Sequence, residues 1–238
     1  MSLSIIIPVW NEAGKIADDI REVVAFSKEQ DWEIELIIID DGSEDHTSRL
    51  AEDSSVPASV LKKVIRYTPH RGKGFAVRKG IAESTGELVM FMDSGQNVPL
   101  SYINVGIKQI EQGDCDILIG SRYLPASIIK KKLVWYRQIS SFLFRKFIKW
   151  FLHIPKFISD TQCGFKLFRG DVARELFFNC QSDGFIFDLE IILSAIRKEY
   201  RICEFAIEWT CDRDSRLSLI QSLYPILRDI RRLRKEFL

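Results

Sequence analysis

The stretch Leu3-Ser4-Ile5-Ile6-Ile7-Pro8-Val9, running straight into Trp10-Asn11-Glu12, decides the fold class. An apolar run of this length, rich in β-branched residues, is too short for a buried helix and reads as a strand covered on both faces. The same pattern returns at Glu33 to Ile39, Lys63 to Tyr67, Leu88 to Met92 and Asp116 to Ile119. Helix-length segments separate the runs: Ala13 to Lys28 sets Ile16, Ile20, Val23 and Val24 at helical spacing, and Lys73 to Ser84 follows the third run. Alternating strand and helix predict an α/β fold with a parallel, doubly wound sheet, whose ligands sit beyond the carboxyl ends of the strands. Those ends carry Pro8 to Glu12, Asp40-Asp41-Gly42-Ser43 and Asp93-Ser94-Gly95-Gln96-Asn97, so three acidic edges face one crevice. The second half reads as more mixed, with a turn at Asp160 to Gly164, helices around Asp171 to Phe178 and Phe187 to Lys198, a strand near Cys203 to Trp209 and a terminal helix.

The chain has 238 residues, 46% hydrophobic and 28% charged, which is enough apolar material for one packed domain. Its 34 Lys and Arg nearly cancel 33 Asp and Glu, so no global positive field marks a nucleic-acid binder, and any basic function is local. The five cysteines (Cys115, Cys163, Cys180, Cys203, Cys211) contain no CxxC pair and, with three histidines, no zinc spacing. They read as reduced thiols of a cytosolic protein. Met1 to Pro8 lacks the basic and apolar regions of a signal peptide. The richest apolar stretch, Leu133 to Ile154, is broken by Arg137, Arg145, Lys146 and Lys149, so no window of about 18 apolar residues spans a bilayer.

Neither a GxGxxG turn nor a P-loop is present, and Arg71-Gly72-Lys73-Gly74 taken alone is a helix-start turn. The combination of motifs is more specific and resembles the family 2 glycosyltransferases of the GT-A fold. Pro8 to Glu12 resembles the opening motif and Asp40 to Ser43 the second. The likeness continues through Gly72-Lys73-Gly74 with Arg78, the DxD region at Asp93, Gly120-Ser121-Arg122 and Phe187-Asp188-Leu189-Glu190, covering about residues 3 to 217. Asp160-Thr161-Gln162-Cys163-Gly164-Phe165-Lys166 and Asp212 to Arg216 are most similar to the polyprenyl-phosphate branch, including dolichyl-phosphate glucosyl- and mannosyltransferases.

That resemblance implies a GT-A, Rossmann-like α/β fold with a mixed, mainly parallel sheet flanked by helices. Residues 1–217 would form a single catalytic domain with a basic amphipathic segment inserted at 127–157, followed by a C-terminal helix at 218–238. The implied activity is inverting transfer of a hexose from a UDP-glucose or GDP-mannose type of donor to a polyprenyl or dolichyl phosphate. Pro8, Asn11 and Glu12 would border the nucleotide, Asp40 and Asp41 would accept hydrogen bonds from base and ribose, and Lys73, Arg78 and Ser94 would complete the donor site. From the residues alone, Asp40-Asp41-Gly42 is equally a turn. Asp93 is the expected ligand of Mg2+ or Mn2+, a hard cation bridging the diphosphate. Here the chain departs from the pattern: the second acid of DxD is Gly95, which leaves Gln96 or Asn97 to offer a neutral oxygen.

By the same resemblance Asp188 is the acceptor-side acid, although with Glu190 it could equally complement a helix dipole. A phosphate acceptor, with its second pKa near ~6, is mostly ionised at neutral pH and needs positioning more than deprotonation. Guanidinium groups suit that task. Arg122, Arg137, Arg213 and Arg216, with Ser215 beside them, are the candidates.

Between Ile117 and Ser159 lie nine Lys or Arg (122, 130, 131, 132, 137, 145, 146, 149, 156) and no Asp or Glu. Trp135, Ile139, Leu143, Phe147, Trp150, Phe151 and Ile154 recur among them at helical steps. This describes either a helix lying on an anionic bilayer or a core-facing helix with a solvated basic back. Leu217 to Leu238, with Arg228, Arg231, Arg232, Arg234 and Lys235, repeats the pattern and would join the same surface or pair with a second copy in a homodimer. The expected place is cytoplasmic, peripheral at the inner membrane face. Two rival readings keep the donor site: transfer to a glycan, protein or soluble acceptor, and a sugar-nucleotide-binding protein in which Gly95 marks lost catalysis. Nucleic acid is not an expected partner, because an acidic crevice repels phosphate.

Overall fold

The computed structural model describes residues 1–131, 135–211 and 219–238, apart from the side chains of 137 and 219–223. The first half alternates as expected: β1 (Ser2–Val9), α1 (Ile16–Ser27), β2 (Glu33–Asp40), α2 (Thr47–Asp53), β3 (Val60–Arg66), α3 (Lys73–Ala82), β4 (Leu88–Met92), α4 (Tyr102–Glu111) and β5 (Ile117–Ser121). The second half adds β6 (Ile128–Lys131), α5 (Trp135–Phe151), β7 (Phe165–Arg169), α6 (Gly170–Phe178), α7 (Phe187–Arg197), β8 (Ile202–Ala206), β9 (Glu208–Thr210) and α8 (Leu219–Phe237).

Seven strands form one sheet in the order β3-β2-β1-β4-β7-β5-β8, and β6 pairs with β9 in a small second sheet. Ile5, Ile6 and Ile7 of β1 and Ile37, Ile38 and Ile39 of β2 are all fully buried, because helices cover both faces of a parallel sheet. The sheet is not parallel throughout: β7 runs antiparallel between β4 and β5. No strand is expected at Phe165 to Arg169 from the sequence, since a run containing Lys166 fits neither a buried nor an alternating pattern. The strand forms because Asp188 of α7 neutralises Lys166, a long-range pairing that local pattern does not reveal. Its direction matters for the site. Entering from the Asp160–Gly164 turn, β7 begins at the carboxyl ends of β4 and β5 and brings that turn to the crevice.

Among the described side chains of α5, Ile148 alone is fully buried, with Phe144 and Phe151 half-buried and Leu152 just beyond its end. Trp135 and Trp150 are each 72% exposed, and Tyr136, Ile139, Phe142, Leu143 and Phe147 are also exposed. The purely core-facing alternative does not describe this helix. Helix α8 turns Ile230 and Leu233 into its own chain, where it packs on α7. No helix among the described residues is long and apolar enough to cross a membrane.

Candidate active site

Three loops at the carboxyl ends of β1, β2 and β4 meet at the point where strand order reverses, between β1 and its neighbours β2 and β4. Asn11 joins the first two: its Oδ1 accepts the Glu44 N–H at 2.7 Å, and its own N–H donates to Ser43 Oγ at 2.8 Å. Asp40 is fully buried, with Oδ1 accepting the Ser43 N–H at 2.8 Å. Asp41, also buried, accepts the Arg71 N–H at 2.7 Å and the Gly72 N–H at 2.8 Å, with His70 Nδ1 2.9 Å from Oδ2. Both carboxylates expected to read base and ribose thus accept amides of neighbouring loops, while the second oxygen of Asp40 has no hydrogen-bond partner among the described residues. Amides in tight buried loops require acceptors, and Asp40 and Asp41 supply them. What the loops present outward is Trp10, half-exposed and stacked on His70 with ring centroids 4.3 Å apart, a platform the sequence reading missed. Pro8 is the penultimate residue of β1, and Glu12 forms an ion pair with Lys15 at 3.0 Å.

The centre of the crevice is an ion pair between Lys73, the first residue of α3, and Asp93, just past β4. Asp93 is held by its backbone N–H to the Gly164 carbonyl at 3.2 Å, and a Cβ on Gly164 would collide with its carboxylate. Burial pushes the Asp93 carboxyl up, but Lys73, Lys166 and Arg122 outweigh it and keep the group ionised, below its ordinary range. Lys73 suffers the converse penalty and stays protonated because Asp93 and Asp188 face it. Met92, Asp93, Asn97, Val98, Cys163, Gly164, Phe165 and Trp209 line an adjoining hollow. Burial pushes the Cys163 thiol up to about 12, so it is an inert lining group there.

Several expected ligands also brace the frame. Ser94 donates to Asp19 of α1, and the Gly95 N–H donates to the same carboxylate at 3.0 Å. Gly95 has φ +101°, so the acid of a regular DxD would be strained here. Asp19 was not singled out in the sequence, although its signal was available: of the pair Asp18-Asp19 it is the one in step with Ile16 and Val23 on the buried face of α1. Arg78 grips Asp183 and donates to the Cys180 carbonyl at 2.9 Å. Arg122 forks onto Asp160, with Nε at 2.7 Å and Nη2 at 2.9 Å, and its guanidinium lies 5.3 Å from the Trp209 ring. Asp188 is set behind the hollow, with Oδ1 2.6 Å from Lys166 Nζ, so the structure places it next to the ion pair and not at the surface. The backbone of Arg137 lies in α5, while its side chain, and Arg213, Ser215 and Arg216 entirely, lie outside the described residues.

The described residues contain no cluster of three metal-ligating acids, thiols or imidazoles. The chemistry of the donor set fits a hard divalent cation in one way: Asp93 and Asn97, which both line the hollow, would supply protein oxygens, and a bound diphosphate the rest.

A sequence model described as glycosyl transferase family 2 matches residues 4–177. The chain belongs to that family. Relatives of this glycosyltransferase include dolichyl-phosphate beta-glucosyltransferase of Dictyostelium discoideum, 32% identical over 247 residues, covering 99% of this chain and 75% of that protein. The human protein of the same name is 29% identical, covering 99% and 76%. Among solved structures, glucosyl-3-phosphoglycerate synthase from Mycobacterium tuberculosis, in complex with Mn2+, uridine diphosphate and glucosyl-3-phosphoglycerate, superposes with a TM-score of 0.73 at 16% identity, covering 98% of this chain and 79% of that one. At that identity the likeness is one of fold, and the fold of the glycosyltransferase is GT-A.

Proposed function

We propose that this glycosyltransferase moves a hexose from a nucleotide-diphosphate sugar, of the UDP-glucose type, to a dolichyl or other polyprenyl phosphate at the cytoplasmic face of a membrane. The observation that carries this reading is the junction between the hollow and the exposed basic helix. From Asp93 the hollow runs to Trp209, Trp209 to Arg122, Arg122 to Tyr123 at 5.6 Å, and Tyr123 to Arg145 of α5 at 3.4 Å. A helix with two tryptophans facing out and only basic charges lies on anionic headgroups, and an acceptor drawn from that layer arrives at the hollow's rim. The relatives named for dolichyl phosphate support the acceptor class.

In the mechanism, Trp10 and His70 receive the base by stacking, while Lys73 faces the diphosphate with its charge fixed by Asp93. An acceptor phosphate oxygen attacks C1 from the face opposite the leaving group. The C1–O bond to the diphosphate breaks, and the nucleoside diphosphate leaves with the electron pair. The acceptor is already ionised, so Asp188 need not take a proton. Its place beneath the ion pair suits positioning. A divalent cation bound by Asp93 and Asn97 would supply further charge where the leaving group becomes more negative. The test is incubation of purified protein with UDP-glucose or GDP-mannose, Mg2+ or Mn2+, and dolichyl phosphate in vesicles. A sugar-phosphate lipid is expected. Donor hydrolysis alone, or transfer only to water-soluble acceptors, would overturn the proposal.

A further inference from the structure

Helix α8 packs on α7, and from it Arg232 reaches into the 181–184 loop, which abuts the start of α3. Its Nη2 is 2.7 Å from Ser182 Oγ and 2.7 Å from Glu190 Oε2. Glu190, buried on α7, also accepts the Gln181 N–H at 2.8 Å, the Ser182 N–H at 2.9 Å and the Ser182 hydroxyl at 2.5 Å. Burial would push this carboxyl up, but Arg232 and the loop donors bring it below its ordinary range, so the cluster stays ionised and shut.

The same loop then presses on the start of α3. The Asp183 carbonyl accepts the Phe75 N–H at 3.1 Å, and its carboxylate pairs with Arg78 and, at 3.3 Å, with Arg71. A methyl group on Gly72 would come within 2.6 Å of the Asp183 oxygen, and one on Gly74 within 2.8 Å of the Gly184 oxygen. Between these two glycines stands Lys73, paired with Asp93. A continuous series of charged and backbone contacts therefore runs from α8 to the centre of the site. Anchoring of α8 itself falls to other residues: Ile230 and Leu233 are buried in the core, while Arg232 ties down the loop.

We propose that Arg232 is a positioning residue of the donor site, fixing the 181–184 loop through Glu190 and Ser182 and so setting the aim of Lys73 at the donor's diphosphate. The inference rests on the donor reading above. It also assigns a role to Glu190, which the reaction itself does not use.

Calorimetric titration of the full chain with UDP and Mn2+, together with transfer kinetics on UDP-glucose, tests it. Arg232→Ala should raise the Kd for UDP and the KM for UDP-glucose by about tenfold, within the range of ordinary coupling between sites. Its kcat should change far less. Arg232→Lys, which keeps the charge but not the fork, should recover part of the loss. Leu233→Ala should lower Tm while leaving UDP affinity unchanged at temperatures well below it, and Arg228→Ala, which pairs with its neighbour Asp229, should change neither. Should Arg232→Ala not fold, Ser182→Ala carries the test with a smaller rise in the same direction. Wild-type affinity in Arg232→Ala or Ser182→Ala, or an equal loss in Leu233→Ala, overturns the positioning role alone. A wild-type chain that binds none of UDP, UDP-glucose, GDP and GDP-mannose overturns the donor reading and the inference together.

Discussion

Replacing Lys166 with Met removes one charge from the most enclosed ion pair behind the site. Lys166 is 1% exposed, and its Nζ donates to Asp188 Oδ1 at 2.6 Å and to the Cys163 carbonyl at 2.7 Å. Met keeps nearly the volume but leaves the Asp188 carboxylate unpaired in the core. Breaking a buried pair from one side costs about 3–5 kcal/mol, which for a chain of this size lowers Tm by roughly 6–20 °C. The sign of the pH effect follows. Burial pushes Asp188 up while Lys166 and Lys73 pull it back, so without Lys166 the carboxyl rises further and the native state holds a proton the unfolded state releases. Stability of the variant should therefore fall as pH rises from 5 to 8, more steeply than in wild type. Removing both charges with Lys166→Met and Asp188→Leu should recover most of the loss. Urea unfolding at both pH values reads all of this. A single variant within about 1 kcal/mol of wild type, or a double variant no better than the single, would refute the account of how β7 is kept in the sheet.

Further outcomes are expected elsewhere. Asp93→Asn should cut transfer by about 10²–10³-fold, the scale of removing one electrostatic group from a reacting centre, with little change in the circular dichroism spectrum; transfer within a few-fold of wild type would count against Asp93 as the central acid. Hydrogen bonding from Arg201, then its charge and that of Arg169, pulls the Asp116 carboxyl from 3.8 to about 2. The stability it contributes is complete above pH 4 and lost as pH falls towards 2, so Asp116→Asn should flatten acid unfolding in that window. Replacing Trp135 and Trp150 together with Ser should leave Tm unchanged, both being exposed, and weaken binding to anionic vesicles at least about tenfold, from ~25 cal/mol per Å2 of ring surface no longer withdrawn from water. Flotation equal to wild type would detach α5 from the membrane.

The sheet was legible wherever apolar runs announce themselves. The run Leu88 to Met92 is β4 residue for residue, and Glu33 to Ile39 falls one residue short of β2. β7 was hidden because its central Lys166 looks like a surface residue until Asp188, distant in sequence, is brought beside it. The polar loops after β1, β2 and β4 were legible as loops, but their internal bonding was not. Asp40 and Asp41 stand out in the linear motif, and only in three dimensions does it emerge that they also accept neighbouring amides. Asp19 and Arg232 hold parts of the site from helices outside the motifs, and only the i, i+3, i+4 spacing around Asp19 gave a local sign of it. The exposure of Trp135 and Trp150 shows that this stripe of α5 is not packed into the core, which periodicity alone does not reveal.

The most direct test joins the chain, UDP-glucose, a divalent cation and vesicles containing dolichyl phosphate, and follows the lipid product by mass spectrometry and proton NMR. The account predicts one UDP released per glucosyl phosphate lipid formed, with the anomeric configuration inverted from the donor. A retained anomer, or UDP released without any sugar reaching the lipid phosphate, would contradict it.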